Sequence, residues 1–329
     1  MTSLAGPLNT LGPALGDALE RRRLPDSLAL AEMLRYSLLP PGKLLRPLLL
    51  LESAAAVGGD PRELVDVSLA VEYLHVATLV HDDIIDGDLT RRGREAVHSR
   101  YGLANGIVTG DALLFTAFEA LSRQGPADAV LRAMSTLART GLELCEGQVE
   151  EAALVENVHC GLERYLKVAT LKTGALFRCA CEVGALLGGA DVAEAAALRD
   201  YGDHLGRAFQ MRDDLLPYLE SPDQSGKSAC SDVLNRRPTL PVLLAVEVAD
   251  RASLALIEES LSGGLPPEVA RARLAGVLDD LGVLGEAQER IRAEVDAARA
   301  LLDGLSGGRT SALHELAEFT VRGAGRTGG

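Results

Sequence analysis

Cysteine is scarce in this sequence, and its few positions do not follow the pattern of a disulfide framework or a zinc site. The five cysteines form no CxxC pair and lie among apolar residues with helical spacing. Thiols in such surroundings are typical of reduced, buried side chains in a cytosolic protein. We therefore expect the cysteines to have no role in stabilising the fold by cross-links.

Long uncharged apolar runs are also missing from the sequence. No stretch of about eighteen such residues occurs, and the first residues lack the basic and then apolar pattern of a secretory leader. The sequence thus supports neither a transmembrane segment nor secretion, and we predict a cytoplasmic location. With 47% hydrophobic and 24% charged residues, the 329 residues are expected to form a globular protein with a large core.

Positive charge is in short supply, because 33 Lys and Arg residues face 47 Asp and Glu residues and leave a net charge of -14. This charge argues against nucleic acid and anionic lipid as partners, since both would be repelled. An anionic substrate would need local cations or metal ions. The four lysines, Lys43, Lys167, Lys172 and Lys227, stand out in an arginine-biased chain, and a compact ammonium group suits a phosphate oxygen.

Apolar residues recur at spacings of three and four through most of the chain, whereas alternating strand-like runs are rare. This pattern predicts an all-α protein. Short Gly- and Pro-containing segments separate the helices, as at residues 58–61, 124–126 and 263–267, and we find no repeat of fixed period. We therefore predict one domain over residues 1–329, a helical bundle with its site in a central cavity and a flexible tail after about residue 321.

The strongest chemical signal is the segment HDDIIDGD at residues 81–88, followed by RRG at residues 91–93. Asp82 and Asp86 are four residues apart, so on a helix their carboxylates share one face, about 6 Å apart along the axis, with Asp83 beside them. Hard oxygen ligands of this kind favour Mg²⁺, which completes its shell with water and substrate phosphate. The alternative is a solvated acidic helix end.

The residues before this segment favour the metal site over the solvated helix end, because residues 64–81 carry almost no charge. Thr78 and His75 lie four and seven residues before Asp82 and share its face of the predicted helix. His75 would therefore point toward the same cavity as the acids. Its alternative role is that of an ordinary core histidine.

A second acidic pair, Asp213 and Asp214, follows FQMR on another predicted helix. Two such acidic helices could hold a diphosphate between metal ions. Cations and a hydroxyl occur in three further segments: GKLLRP at residues 42–47, the pair Lys172 and Thr173, and Lys227. Each of these groups could instead be a surface or helix-end residue.

Taken together, these segments resemble the trans-isoprenyl diphosphate synthases, or polyprenyl synthetase family, over about residues 42–241. The resemblance rests on GKxxRP, LHxxxLxHDD, DDIID, RRG, the KT pair, FQxxDD and the GKxxxxD…TLP stretch, in that order. It implies the isoprenoid synthase fold, a homodimer and the condensation of an allylic diphosphate with isopentenyl diphosphate. It further implies Mg²⁺ as cofactor, about three ions in the substrate complex.

Residue roles follow from the same resemblance, position by position. Lys43, Arg46, His75 and Arg92 correspond to residues that hold isopentenyl diphosphate, and Arg91, Lys172, Thr173, Gln210, Lys227 and Arg237 to the allylic diphosphate site. Asp82, Asp86 and Asp213 correspond to metal ligands, with Asp83 and Asp214 as supporting acids, and Asp82, Asp86, Lys172 and Asp213 are the expected catalytic residues.

The chain departs from the family pattern in three places. Pro217 stands where the second motif has its third acid, and a proline there is expected to end or kink the helix. Arg236 and Arg237 replace a glycine and a lysine, and Leu44 stands where arginine is common. These departures leave two alternatives open: a class I terpene cyclase, which needs no isopentenyl site, and a weakly active subunit of a heteromeric synthase.

Product length is expected to depend on the helix that carries the first acids. Thr78 and Ala77, four and five residues before Asp82, are both small, and they leave room for a growing tail about 6 to 7.5 Å along the axis. This predicts a polyprenyl product of more than twenty carbons. The alternatives are a geranylgeranyl product, or two small residues that merely pack against another helix.

Overall fold

The computed structural model describes residues 5–22, 25–219, 230–305 and 307–322. Within these ranges the protein is helical apart from one pair of two-residue strands, which confirms the predicted all-α class. The α-helices are α1 (Ala5–Arg21), α2 (Leu28–Leu38), α3 (Leu45–Ala56), α4 (Val65–Ile85), α5 (Val97–Tyr101), α6 (Leu103–Leu121), α7 (Ala127–Ala152), α8 (Leu162–Ala169), α9 (Ala175–Gly188), α10 (Val192–Leu219), α11 (Ser231–Leu234), α12 (Leu240–Val248), α13 (Arg251–Leu261), α14 (Pro267–Asp280), α15 (Val283–Ala300) and α16 (Ser311–Arg322). The strands are β1 (Thr90–Arg91) and β2 (Arg94–Glu95).

The chain divides into two compact units, each assembled from separate segments. Unit 1 comprises Met1–Gly141, Leu176–Gly202 and Leu301–Leu316, and unit 2 comprises Leu142–Ala175, Asp203–Ala300 and Ala317–Gly329. The segments alternate along the sequence, so no single cut in the chain separates the units. The predicted flexible tail falls largely at residues 323–329, outside the described residues.

Helix α4 is the core of unit 1. It is apolar and long enough to cross a membrane by composition, yet 67% of its most apolar window is buried inside the protein, as expected for a core helix. Helix α6 packs closely against it, because a Cβ atom added at Gly110 would lie 2.1 Å from Nε2 of His81. Glycine at this position therefore permits the approach that fixes the acidic end of α4.

Helix α12 is the corresponding core helix of unit 2. Its residues from Leu240 to Ala245 are all buried, in keeping with a helix that is apolar on every side. The part of α10 in unit 2 buries Leu205, Ala208, Met211 and Leu215 at spacings of three and four. The polar residues of this part of α10, which include the second acidic pair, lie between these buried apolar positions.

Helices α3 and α9 of unit 1 meet at Gly184, where an added Cβ atom would lie 2.1 Å from the carbonyl oxygen of Leu50. We predict that Gly184→Ala lowers the free energy of unfolding by about 1–3 kcal/mol, because the backbones must separate to accept the methyl group. Gly141→Ala is the matched control, since nothing lies within 4 Å of the added atom on α7, and it should raise stability by up to about 1 kcal/mol. Urea denaturation measures both, and equal effects would contradict this account of the crossing.

Candidate active site

The acids of the first motif lie where α4 ends, in unit 1. The helix closes with a hydrogen bond of 2.8 Å from the backbone N–H of Asp86 to the carbonyl of Asp82, and Gly87 then reverses the chain with a φ of 69°. Asp82 and Asp86 are partly exposed, whereas Asp83 is buried. Two carboxylates of the three thus face solvent from the end of a buried helix.

A tight hairpin brings the RRG segment back to these acids. Thr90 pairs with Glu95, and the central residues Arg92 and Gly93 have φ angles of 52° and 76°, as a type I′ turn requires. The turn directs Arg91 to Asp83, with which it forms a hydrogen-bonded ion pair. Burial raises the pKa of the Asp83 carboxyl and Arg91 opposes that rise, so Asp83 serves to fix Arg91.

A cluster of cations lies beside this hairpin. The guanidinium group of Arg92 covers Gly42, where an added Cβ atom would lie 2.8 Å from Nη2. Loss of hydration, followed by the charges of Arg46, Arg92 and Arg91, lowers the pKa of His75 well below its usual value. His75 is therefore a neutral imidazole, and the structure brings together the predicted Arg46, His75 and Arg92.

Arg46 and Arg92 share one buried acid, Glu72, which sequence reasoning missed. Burial raises the pKa of the Glu72 carboxyl, while the charges of Arg46 and Arg92 act in the opposite direction. Arg46 also lies over the ring of Phe177, with 5.1 Å between its Cζ atom and the ring centroid. The only sequence signal for Glu72 was a lone acid in an apolar helix.

The KT pair lies in unit 2, on a π-helical turn (Thr170–Gly174) between α8 and α9. Such turns insert one extra residue and are frequent at functional sites. The ammonium group of Lys172 donates to Oε1 of Gln148 at 2.7 Å and to Oε2 of Glu151 at 2.6 Å. Glu151 also pairs with Arg237 at 3.3 Å, so one carboxylate joins two of the predicted substrate-binding cations.

A chain of hydrogen bonds continues from this turn to the second acidic pair. The Thr173 hydroxyl donates to Oε1 of Gln210 at 2.6 Å, and Nε2 of Gln210 donates to Oδ1 of Asp214 at 2.7 Å. The N–H of Leu240 donates to Oδ2 of Asp214 at 3.1 Å. Both oxygens of the buried Asp214 are therefore engaged within the protein, which leaves Asp213 as the exposed acid of the pair.

Burial and the neighbouring Asp232 raise the pKa of Asp214 to about 7, against the effect of the nearby Tyr165 and of the hydrogen bonds from Leu240 and Gln210. Tyr165, Asp232, Gln148 and Glu151 were all missed by sequence reasoning. Gln148 and Glu151 left a signal, because with Leu144 they occupy the inward stripe of α7, where apolar residues are expected.

The helix that carries Asp213 continues through Pro217 to Leu219, the last described residue before residue 230. The helix therefore does not end at Pro217, and the alternative, a kink at this residue, stays a prediction. A proline has no N–H to donate to the carbonyl of Asp213, but the carbonyl of Pro217 accepts a hydrogen bond of 2.9 Å from Arg271, which ties this turn to α14. Lys227 lies outside the described residues.

Arg236, which replaces the usual glycine, has a φ of 51°. This is the left-handed conformation that favours glycine. It is held by an ion pair between Arg236 and Glu156 and by a 3.0 Å hydrogen bond from the N–H of Glu156 to the carbonyl of Arg236. Arg236 thus adopts a backbone conformation that glycine would adopt without strain.

Ala77 and Thr78 have different surroundings on α4. Ala77 is fully buried, and it shares a stripe with Tyr73 and His81, four residues to either side. Thr78 is partly exposed, and its hydroxyl donates to the carbonyl of His75 at 2.7 Å. Thr78 therefore lies on the same face of α4 as Asp82, whereas Ala77 lies on the face that packs against α6.

Among the described residues, no three His, Cys, Asp or Glu side chains converge as a preformed metal cluster. The donors nevertheless suit Mg²⁺, because Asp82 and Asp86 offer partly exposed carboxylates from one helix end. Magnesium commonly takes one or two carboxylates and completes its shell with water and phosphate oxygens. The residues present thus fit a magnesium ion that arrives with its diphosphate.

The chain matches known proteins along most of its length. Geranylgeranyl diphosphate synthase of Mycobacterium tuberculosis is 37% identical over 301 residues, 87% of this chain and 85% of that protein. A polyprenyl synthase from Caulobacter crescentus, solved with calcium and isoprenyl diphosphate, superposes with a TM-score of 0.88 at 30% identity, covering 98% and 97% of the two chains.

A decaprenyl diphosphate synthase from Rhodobacter capsulatus superposes with a TM-score of 0.85 at 31% identity, covering 97% of each chain. Residues 28–271 match the profile of the polyprenyl synthetase family. The predicted isoprenoid synthase fold is confirmed by these superpositions. The chain therefore belongs to the polyprenyl synthetase family and is a trans-prenyltransferase.

Proposed function

We propose that this prenyltransferase condenses an allylic diphosphate with isopentenyl diphosphate, using Mg²⁺, to form a polyprenyl diphosphate of more than twenty carbons. The observation that carries the proposal is the cation cluster of Arg46, Arg91 and Arg92 beside the partly exposed Asp82 and Asp86. This arrangement offers both the fixed positive charge and the metal ligands that a diphosphate requires.

In unit 1, Lys43, Arg46 and Arg92 would hold the diphosphate of isopentenyl diphosphate. The neutral His75 would donate one hydrogen bond to it, which adds recognition without a further charge. In unit 2, Lys172, Thr173, Gln210, Lys227 and Arg237 would hold the allylic diphosphate. Glu151 compensates Lys172 and Arg237 before substrate arrives, and a diphosphate would replace it as their partner.

The reaction begins with cleavage of the allylic C–O bond, which leaves a carbocation and a diphosphate anion. The π electrons of isopentenyl diphosphate form the new C–C bond, and a proton then passes to the departed diphosphate. Bound Mg²⁺ would stabilise the charge of the leaving group. The protein's fixed cations act in the same sense, and the apolar face of α4 keeps water away from the carbocation.

The proposal includes a cytoplasmic homodimer. Support for the dimer comes from α6, which exposes large apolar side chains: Leu103, Ile107, Val108 and Phe115 are 57%, 44%, 50% and 75% exposed. A row of this kind marks an interaction surface. Sedimentation of the purified chain tests the dimer, and the same sample assayed alone tests whether it needs a different partner subunit to turn over.

We predict that Asp82→Ala and Asp86→Ala each lower turnover by orders of magnitude, because each removes a metal ligand that acts mainly in the transition state. Activity should require Mg²⁺ or Mn²⁺ and vanish in EDTA. Asp213→Asn should cost more turnover than Asp214→Asn, since both oxygens of Asp214 are engaged inside the protein. Asp128→Ala, at an exposed acid on α7, is the control. Unchanged rates in EDTA would exclude the metal proposal.

Asp83 is predicted to act by fixing Arg91 rather than as a metal ligand. Arg91→Ala leaves a buried carboxylate alone and should lower the free energy of unfolding by about 2–3 kcal/mol, less than a fully buried pair because Arg91 is 35% exposed. Asp83→Asn in the Arg91→Ala background should recover most of this loss. Urea denaturation of the wild type, Arg91→Ala, Asp83→Asn and the double variant gives the coupling energy, and a value near zero would show that the pair is not interacting.

Lys43→Ala and Arg46→Ala should raise the KM for isopentenyl diphosphate far more than that for the allylic substrate. Each removes a charge-assisted contact of about 1.5–3 kcal/mol, or roughly ten- to over a hundredfold. Lys167→Ala is the matched control, because Lys167 pairs with Glu146 and Glu150 on the protein's own surface. If only the allylic KM changed, the two substrate assignments would be exchanged.

Product length is tested by incubation with farnesyl and isopentenyl diphosphates and sizing of the extracted chains. We expect more than twenty carbons, because the small and partly exposed Thr78 leaves the passage beside α4 open. A geranylgeranyl product is the second candidate, favoured by the 37% identity to the mycobacterial geranylgeranyl diphosphate synthase. A wild-type product that stops at twenty carbons would show that the enzyme makes geranylgeranyl diphosphate instead.

If α4 forms the wall of the passage, Ala77→Phe and Thr78→Phe should shorten the product. Thr78→Phe is the cleaner variant, because Thr78 is partly exposed whereas Ala77 is fully buried and a larger side chain there must displace neighbours. Thermal unfolding separates loss of folding from a change in product. If both variants fold and their products are unchanged, α4 does not determine the product length.

A further inference from the structure

Unit 1 contains a cavity of about 440 Å³ at the end of α4 opposite to the acids. Side chains from α1, α4 and α6 line it, among them Val67, Leu69 and Tyr73 of α4 and Ala120 of α6. Tyr73 is nine residues from Asp82, about 13.5 Å along the helix axis. The cavity is therefore set apart from the acidic motif by more than two helical turns.

Three arginines, Arg21, Arg22 and Arg123, line this cavity. In Arg22 the Nη1 atom donates to the carbonyl of Leu19 at 2.5 Å, whereas Nε and Nη2 are buried and have no hydrogen-bond partner among the residues that the structure describes. Buried donors of a charged group are normally satisfied, because leaving them unpaired costs free energy. Two unsatisfied donors on one guanidinium form the fork that a carboxylate or phosphate accepts.

The other charges at the cavity leave it cationic. Its acids are Asp66 and Glu119, and Glu119 already pairs with Arg123 at 2.5 Å. Three arginines against two acids give a formal charge of +1. Burial raises the pKa of Tyr73 to about 12, so its phenol stays protonated and adds no negative charge.

The size and lining of the cavity fit a ligand that is larger than a small ion. A water molecule takes about 30 Å³ of liquid volume, so an inorganic phosphate would leave most of the space unfilled. The apolar side chains beside Arg22 offer a surface for a hydrocarbon chain. We propose that this cavity binds a single-chain amphiphilic oxyanion, with its carboxylate or phosphate head on Arg22 and its chain along Val67, Leu69 and Ala120.

Isothermal titration of the full-length protein in EDTA, at ligand concentrations below micelle formation, tests the proposal. The probes are dodecyl phosphate and laurate, with dodecanol and inorganic phosphate as comparisons. We expect one of the two amphiphilic anions, or both, to bind at least tenfold more tightly than dodecanol and phosphate. The ratio between the two tells which head group the site prefers. No binding of either anion, or equal binding of dodecanol, would overturn the proposal.

Three variants locate the binding. Arg22→Met should weaken it ten- to a hundredfold, Arg22→Lys should weaken it less, and Ala120→Leu should weaken it by filling the space for the chain while Arg22 stays. Arg132→Met, at an exposed arginine on α7, is the control and should bind as the wild type does. Thermal unfolding confirms that each variant is folded. Wild-type affinity in folded Arg22→Met and Ala120→Leu would overturn the proposal, whatever the outcome of the turnover assays.

Discussion

Compensation of positive charge by acids within the protein is the constraint on which the cation clusters of both units depend. Several cations lie close together in each unit and repel one another. Asp83 pairs with Arg91, Glu72 interacts with the charges of Arg46 and Arg92, and Glu151 bridges Lys172 and Arg237. Each acid lowers the cost of assembling the cations, so the site can exist before substrate binds.

The same acids explain why an excess of acidic residues is compatible with binding an anionic substrate. The net charge of -14 describes the whole chain, whereas the binding energy for a diphosphate depends on groups within a few ångströms of it. Asp83 and Glu72 are buried, so their charges act on the neighbouring arginines without facing the solvent, and Asp83 also fixes Arg91 through an ion pair. Asp82 and Asp86 are instead partly exposed.

Unusual backbone conformations accompany the cations. Leu44, Arg92 and Arg236, all with positive φ, each lie next to a residue predicted to bind substrate or are one themselves, and Lys172 and Thr173 lie on a π-helical turn. Such conformations are less favourable than regular helix and persist when surrounding contacts enforce them. The Asp83 pair beside Arg92 and the Glu156 pair at Arg236 are contacts of this kind.

The superpositions with polyprenyl and decaprenyl diphosphate synthases and the identity to a geranylgeranyl diphosphate synthase agree on the reaction class and differ on product. The predicted catalytic residues belong to short motifs, which remain recognisable when most of the sequence has changed. The length of a bound tail instead depends on the bulk of side chains on several helices. Ala77 illustrates the difference, since it is small in the sequence but fully enclosed in the structure.

The sequence by itself determined what depends on local spacing. The 3.6-residue period predicted the helices, placed Asp82, Thr78 and His75 on one face of α4, and identified Asp213 and Asp214 on a second helix. The RRG segment was recognised from its residues alone. These features involve residues within about ten positions of each other, so helix and turn geometry fixes them.

Only the tertiary structure decided which groups meet across longer separations. The partners Lys172 and Glu151, Thr173 and Gln210, and Asp214 and Leu240 are 21, 37 and 26 residues apart. Periodicity tells which face a residue occupies but not which neighbouring helix packs against that face, because packing is set by side-chain volumes over the whole unit. The cavity around Arg22 has the same origin: it lies where three separate helices leave a gap, and no local pattern records it.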